Sequence, residues 1–148
     1  MSSKLYATDF YAWTLEQSKL LQQGKWQTLD IDNLVEEIES LGKQQRQELR
    51  NRLGILIGHL LKWQYQSDRR SKSWRITIRV QREEVREILQ ENPSLKPYLE
   101  EAIMKAYDAG LELVLKETPL EEKDLPAECP FTAMQILDAA FPVGLNLT

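Results

Sequence analysis

Apolar residues separated by three and four positions run through the middle of this chain, and that spacing is the period of an α-helix. They are Leu49, Leu53, Leu56, Leu60 and Trp63. As a helix, residues 55–61 would be apolar on almost every side, although Gly54 and Gly58 weaken the helix prediction. A helix that is apolar all round is buried among other helices. The chain is therefore predicted to fold around a central helix at about 43–66.

Capping and breaking residues divide the rest of the sequence into further helices. They predict helices at about 9–23, 32–41, 74–91 and 95–117, followed by a short helix at 133–139. Gly24 and Gly42 are the expected ends of the first two, because glycine accepts the left-handed conformation that stops a helix. Thr8 and Ser73 are expected amino-terminal caps. Thr132 and Gln135 match a capping box before the short helix. The apolar stripe of the 32–41 helix is Leu34, Val35, Ile38 and Leu41.

Residues 74–80 are the segment in which a strand competes with a helix. Trp74, Ile76, Ile78 and Val80 alternate with polar residues as in a strand, but the continuation from Val85 fits a helix far better. We therefore predict an all-α fold, with a single domain over residues 1–148. Its expected architecture is a single helical bundle of about five long helices plus a short C-terminal helix.

The composition is that of an ordinary globular protein. The 148 residues are 42% hydrophobic, enough to bury one core. Cys129 is the only cysteine, so an intrachain disulfide is excluded. The longest apolar run, 54–61, is far shorter than the roughly 20 residues that span a bilayer. We expect a cytoplasmic protein with no membrane contact.

Six stretches of the sequence, in this order, carry a resemblance to a known family. They are Tyr6 with Asp9, Phe10 and Trp13, then residues 34–42, 59–66, 69–74, 93–95 and 128–131. Together they resemble the bacterial domain of unknown function, family twenty-nine, over most of the chain. The resemblance implies an all-α fold of about this length and a bacterial origin. Because no activity is attached to the family, it places no catalytic residue in this sequence.

His59 is the only histidine, and Glu36 and Glu37 are the carboxylates that could reach it from the preceding predicted helix. Metal sites in helical bundles combine several carboxylates with Glu-x-x-His spacing, which is missing here. A hydrogen-bonded structural histidine is the favoured interpretation, so these three residues form a candidate buried polar site. Cys129 has no activating neighbour in the sequence, and no phosphate loop or nucleophile elbow is present. We predict no catalytic residue, no metal site and no cofactor.

Basic residues are concentrated in one part of the sequence. All nine arginines lie between Arg46 and Arg86. The segment 43–86 holds 12 Lys and Arg against 4 Asp and Glu, a net charge of +8. The remaining residues hold 7 basic and 19 acidic side chains, a net charge of −12. The whole chain carries −4.

Two interpretations of this basic segment stay open. In the first, it is an anion-binding surface for nucleic acid, phosphate or an acidic partner. In the second, glutamates of the outer helices pair with most of its arginines inside the fold, because arginine suits partly buried bidentate pairing. We favour the second. The candidate anion or partner contacts, near the polar loop, are Arg69, Arg70, Lys72, Arg75 and Arg79.

The missing catalytic signals favour a non-catalytic protein-interaction or regulatory module over an enzyme. Its expected partner is another protein. The alternative is a nucleic-acid or anionic-ligand binder that uses the segment 43–86. A third hypothesis is a carboxylate and histidine metal enzyme around His59, Glu36 and Glu37.

Overall fold

Six α-helices, joined by turns and 3-10 helices, form the chain in this computed structural model, which describes residues 2–145 and the side chains of 4–145. The α-helices are α1 (Ser2–Thr8), α2 (Phe10–Gln22), α3 (Ile31–Tyr65), α4 (Lys72–Glu91), α5 (Leu99–Glu117) and α6 (Ala133–Leu137). The 3-10 helices are Trp26–Thr28, Ser67–Arg69, Pro93–Tyr98 and Glu122–Asp124. Residues 2–145 contain no strand, so the all-α prediction is confirmed.

The two helices predicted at 32–41 and 43–66 are one continuous helix, α3, of 35 residues. Gly42 does not end it, because the backbone there is helical and φ is not positive. An interior glycine costs a helix only about 1 kcal/mol, and the residues that follow it favour helix. Gly24, by contrast, has φ +69° and follows the end of α2, as predicted. The separation into two helices was therefore wrong.

Side-chain caps start α2, α4 and α6, with Asp9, Ser71 and Thr132 as the capping residues. Ser71, rather than the predicted Ser73, accepts a hydrogen bond from the backbone N–H of Trp74 and starts α4. The strand alternative for residues 74–80 was therefore wrong. Thr132 and Gln135 form the predicted capping box at the start of α6.

The chain divides into two compact units, Met1–Gln44 and Gln45–Thr148, and α3 runs through both. The prediction of one domain over residues 1–148 stays a prediction. The larger unit holds most of the buried apolar residues. On α3 these include Leu49, Leu53, Leu56, Ile57, Leu60 and Leu61, and on α4 and α5 they include Ile78, Val85, Ala102 and Val114. The three- and four-residue spacing of Leu49, Leu53, Leu56 and Leu60 thus marks the core face of α3.

Glycines let α3 and α5 approach each other closely within the larger unit. A Cβ placed on Gly110 of α5 would lie 3.2 Å from the backbone nitrogen of Gly58 and 3.3 Å from the carbonyl oxygen of Gly54. Real Cβ atoms rarely come so close to backbone atoms. Glycine at this position therefore allows the close crossing of the two helices.

Candidate interaction surfaces

Polar and aromatic contacts hold the amino-terminal unit together. Trp13, which is buried, donates from Nε1 to Oδ2 of Asp30 at 3.0 Å. The backbone N–H of Asp30 donates to Oε1 of the buried Gln17 at 2.9 Å. The Tyr6 hydroxyl donates to the carboxylate of Glu37. The inner side of α2 thus meets the start of α3 through hydrogen bonds.

Two pKa values reflect these contacts. The hydrogen bond to Glu37 raises the pKa of Tyr6 to about 12. The pKa of Asp30 lies below its ordinary value, chiefly because the Asn33 side chain donates a hydrogen bond to this carboxylate. Asp30 therefore serves as a charged hydrogen-bond acceptor for Trp13 and Asn33.

The amino-terminal half of α3 leaves a row of aliphatic side chains in solvent. Ile31, Val35, Ile38 and Leu41 are 54%, 48%, 67% and 60% exposed. Spacings of four, three and three place them on one side of the helix. We call these four residues the apolar face.

Exposed apolar residues are concentrated in this unit. Fourteen large hydrophobic residues are exposed in the described part of the chain, and nine lie between residues 10 and 41. Besides the apolar face they are Phe10, Tyr11, Leu15, Leu21 and Trp26. Such concentration differs from the scattered single apolar residues of an ordinary surface.

A line of carboxylates runs beside the apolar face. Asp32, Glu36 and Glu39 each follow one residue of that face, so each points about 100° around the helix from it. All three are exposed, and within residues 4–145 none of their side chains has a hydrogen-bond or ion-pair partner. We call these three residues the acidic row. Residues 1–44 as a whole hold 7 acidic and 4 basic side chains, a net charge of −3.

Sequence periodicity identified this stripe but gave no sign that it is exposed. Leu34 is half-buried, whereas Val35, Ile38 and Leu41 face solvent. A stripe at helical spacing has the same pattern whether it covers a core or an interface. Trp13 and Gln17 of α2 contact Asp30, just before α3, through hydrogen bonds.

The arginines of the basic segment mostly contact groups other than carboxylates. Arg46 stacks with its guanidinium carbon 4.3 Å from the ring centroid of Tyr98, and Nη1 of Arg50 donates to the Tyr98 hydroxyl at 2.7 Å. Nε of Arg70 donates to the carbonyl oxygen of Trp63 at 2.8 Å. The expectation that most of the nine arginines pair with carboxylates was therefore wrong. Arg52 does form an ion pair, with Glu48 of its own helix at 2.8 Å.

The five candidate anion contacts lie close together in the chain, at the Ser67–Arg69 turn and the first half of α4. Arg69, Arg70, Lys72 and Arg79 are exposed, and Arg75 is half-buried. Within the described residues the side chains of Arg69, Lys72 and Arg79 have no hydrogen-bond or ion-pair partner. This end of α4 is thus a basic, solvent-facing surface.

Arg82 is the buried exception among the arginines, with 2% of its surface exposed. Its Nε donates to the carbonyl oxygen of Ile136 at 2.7 Å, while Nη2 has no partner within the described residues. Burial lowers the pKa of Arg82 to about 10, and the charge of Asp138 partly offsets that effect. Arg82 therefore links α4 to α6 through its hydrogen bond to the carbonyl of Ile136. Its buried charge lowers the stability of the fold, because it has no ion-pair partner within the described residues.

The structure does not bring His59 together with Glu36 or Glu37. His59 belongs to the larger unit, whereas Glu36 and Glu37 belong to the amino-terminal unit. Nδ1 of the half-buried His59 lies 2.9 Å from the carbonyl oxygen of Ile55, and burial lowers the pKa of the imidazole. Glu36 is exposed, and Glu37 accepts from Tyr6. Residues 4–145 contain no group of three or more His, Cys, Asp or Glu that could hold a metal ion.

Cys129 lies in the segment that connects α5 to α6, and its side chain is half-buried. Its Sγ lies 3.6 Å from the carbonyl oxygen of Phe131, and burial raises the pKa of the thiol. A nucleophilic cysteine needs a lowered pKa. The environment of Cys129 is therefore that of a structural thiol.

Comparison with known proteins identifies the family. A family model described as Domain of unknown function DUF29 matches residues 5–142. The chain belongs to this family. The resemblance drawn from the six sequence stretches is thereby confirmed. No curated protein and no solved structure matches the DUF29 chain. Among the residues that the structure describes, no helix has the length and apolar character needed to cross a membrane.

Proposed function

We propose that this protein is a cytoplasmic, non-catalytic protein-interaction module that binds another protein through the apolar face of α3. The observation that carries the proposal is the exposure of about half or more of each of Ile31, Val35, Ile38 and Leu41. Full burial of an aliphatic side chain contributes roughly 1.5–3 kcal/mol. Covering the apolar face is therefore worth on the order of 1 kcal/mol for each of its four residues.

The groups that an enzyme would use are engaged in other contacts. His59 is close to a backbone carbonyl and its pKa is lowered, and the pKa of the Cys129 thiol is raised. Glu37 accepts from the Tyr6 hydroxyl and belongs to the amino-terminal unit, whereas His59 belongs to the larger unit. Catalytic acid–base pairs require side chains within hydrogen-bonding reach of one substrate. These positions support a binding role over a catalytic one.

The experiment is a comparison of three forms of the full-length protein as bait in a lysate of the organism that encodes it. Ile38→Glu places a charge in the centre of the apolar face. Met104→Glu places the same charge at an exposed apolar residue of α5, 74% exposed, and is the matched control. Both positions are solvent-exposed on helices, so circular dichroism should show an unchanged fold.

A protein that is enriched by the wild type and by Met104→Glu, but lost with Ile38→Glu, is the expected result. Direct binding of that protein in purified form then completes the test. If every captured protein is retained by Ile38→Glu, the apolar face is not the binding surface and the proposal fails.

A second candidate function is anion binding at the basic surface of Arg69, Lys72 and Arg79. The observation that favours it is the lack of carboxylate partners for these three side chains within the described residues. Phosphate contacts would make binding to mixed-sequence DNA or RNA fall steeply with salt. Titrating wild type and Arg79→Gln with DNA or RNA, at low and at high salt, tests this candidate. If neither the substitution nor the salt concentration changes the affinity, a phosphate-binding surface is excluded.

A further inference from the structure

We infer that the partner of the apolar face is an amphipathic helix with Lys or Arg residues along one edge of its apolar stripe. This inference rests on the proposed function and names the chemistry of its partner. It follows from two features of the first half of α3, the shape of the apolar face and the position of the acidic row.

The apolar face is narrow and straight. Its four side chains lie on one helix, and from Ile31 to Leu41 the axis rises about 15 Å, close to three turns. Helices pack by fitting rows of side chains into the grooves of another helix. Its four side chains, at i, i+4, i+7 and i+10, follow the three- and four-residue spacing of the anchors through which amphipathic helices are recognised. Another helix is therefore the shape that covers this ridge.

The acidic row makes the two sides of this ridge different. On one side Asp32, Glu36 and Glu39 are exposed and have no side-chain partner among residues 4–145. On the other side Leu34 is half-buried and Glu37 already accepts from the Tyr6 hydroxyl. A partner helix thus gains charge complementarity from Lys or Arg on one edge only. Basic residues three or four positions apart match the spacing of the acidic row.

Charge also argues against two other occupants. A second copy in a two-fold antiparallel pairing centred on the apolar face would bring the two acidic rows together, with Glu36 near Glu36 of the other copy. Membrane surfaces carry anionic lipids, which the acidic row repels. Both alternatives bring like charges together, whereas a basic helix brings opposite charges together.

The test uses the full-length protein and two synthetic helical peptides as probes. Both peptides carry leucines at the spacing of an amphipathic helix. One has lysines along one edge of the leucine stripe, and its twin has glutamates at the same positions. Binding is measured by fluorescence anisotropy of the labelled peptide at low and at high salt.

Three variants separate the contributions of shape and charge. Ile38→Glu disrupts the apolar face. The combined change Asp32→Asn, Glu36→Gln and Glu39→Gln neutralises the acidic row. The matched control neutralises three exposed glutamates of α4 with similar helical spacing, through Glu83→Gln, Glu87→Gln and Glu91→Gln. The acidic-row variant and the α4 control have the same net charge, so a general electrostatic effect would change peptide binding equally in both.

The lysine peptide should bind at least about tenfold more tightly than the glutamate peptide, a factor that corresponds to about 1.4 kcal/mol. Neutralising the acidic row should remove this preference, while the α4 control should keep it. Ile38→Glu should weaken binding of the lysine peptide by about tenfold or more.

Several results would overturn the inference. If both peptides bind equally and Ile38→Glu abolishes binding, the apolar face is an interface but charge does not select its partner. If the acidic-row variant and the α4 control behave alike, or no lysine-peptide binding is seen, the inference is wrong. A wild-type dimer in light scattering that Ile38→Glu dissociates would identify a second copy as the occupant. The proposed function itself fails only if partner capture is insensitive to Ile38→Glu.

Discussion

Replacing Gly110 with alanine should destabilise the protein even though it improves the helix propensity of α5. The added methyl carbon would lie 3.2 Å from the Gly58 nitrogen, 3.3 Å from the Gly54 oxygen and 3.2 Å from Cγ2 of Ile57. Carbon atoms prefer separations of about 3.5–4.0 Å. Two of the three neighbours are backbone atoms of α3, so the helices must move apart to accept the methyl group.

Two terms of opposite sign set the size of the effect. Alanine is favoured over glycine within a helix by about 1 kcal/mol. Overpacking a well-packed core costs about 1–3 kcal/mol. The expected net result for Gly110→Ala is a loss of about 1 kcal/mol in the free energy of unfolding.

Gly42→Ala provides the comparison, because a Cβ at Gly42 meets no atom within 4 Å. There only the propensity term operates, so this variant should gain about 1 kcal/mol. Urea denaturation followed by circular dichroism measures both. A gain for Gly110→Ala of the size seen for Gly42→Ala would refute the reasoning, since it would mean that α3 and α5 accommodate the methyl group freely.

Three further predictions concern polar groups. Burial lowers the pKa of His59, so the unfolded chain binds this proton more readily than the folded protein does. Stability should therefore fall as the pH falls through the ordinary His pKa of 6.5. Urea denaturation of His59→Gln should show a weaker pH dependence than that of the wild type. The raised pKa of Tyr6, about 12, means that the folded protein keeps this proton longer, so stability should fall as pH rises from 10 to 12, and less so in Tyr6→Phe. Arg82→Met removes a buried cation, and its free energy of unfolding should stay within about 1 kcal/mol of the wild type or rise; a loss of about 3 kcal/mol or more would show that the hydrogen bond to Ile136 outweighs desolvation.

Local signals in the sequence predicted most of the fold. The capping box of Thr132 and Gln135 and the left-handed Gly24 both depend on a few adjacent residues, so the sequence contains all the information needed. Gly42 shows the limit of such signals. Glycine can stop a helix or lie inside one, and the helix-forming residues on both sides of Gly42 decided the outcome.

The candidate surfaces were less predictable, because a residue type does not specify its neighbour. The arginine pattern was plain in the sequence, yet Arg46 and Arg50 contact Tyr98, which lies 48 residues or more beyond them. Carboxylate partners were expected because the charges can be counted in the sequence. The sequence does not show that a tyrosine ring or a backbone carbonyl will be the partner of an arginine. Likewise Ile38 has the spacing of a core residue and lies in solvent.

The continuity of α3 has a consequence for the proposed interaction of its first half. A free peptide of residues 31–44 would be close to the length below which helices are marginal in water, about 12–15 residues. Here that segment continues directly into the buried turns from Leu49 onward, so the costly nucleation of the helix is already complete. A partner of the apolar face would therefore meet a preformed helix and lose no affinity to ordering it. The isolated peptide should bind the same partner far more weakly than the intact protein.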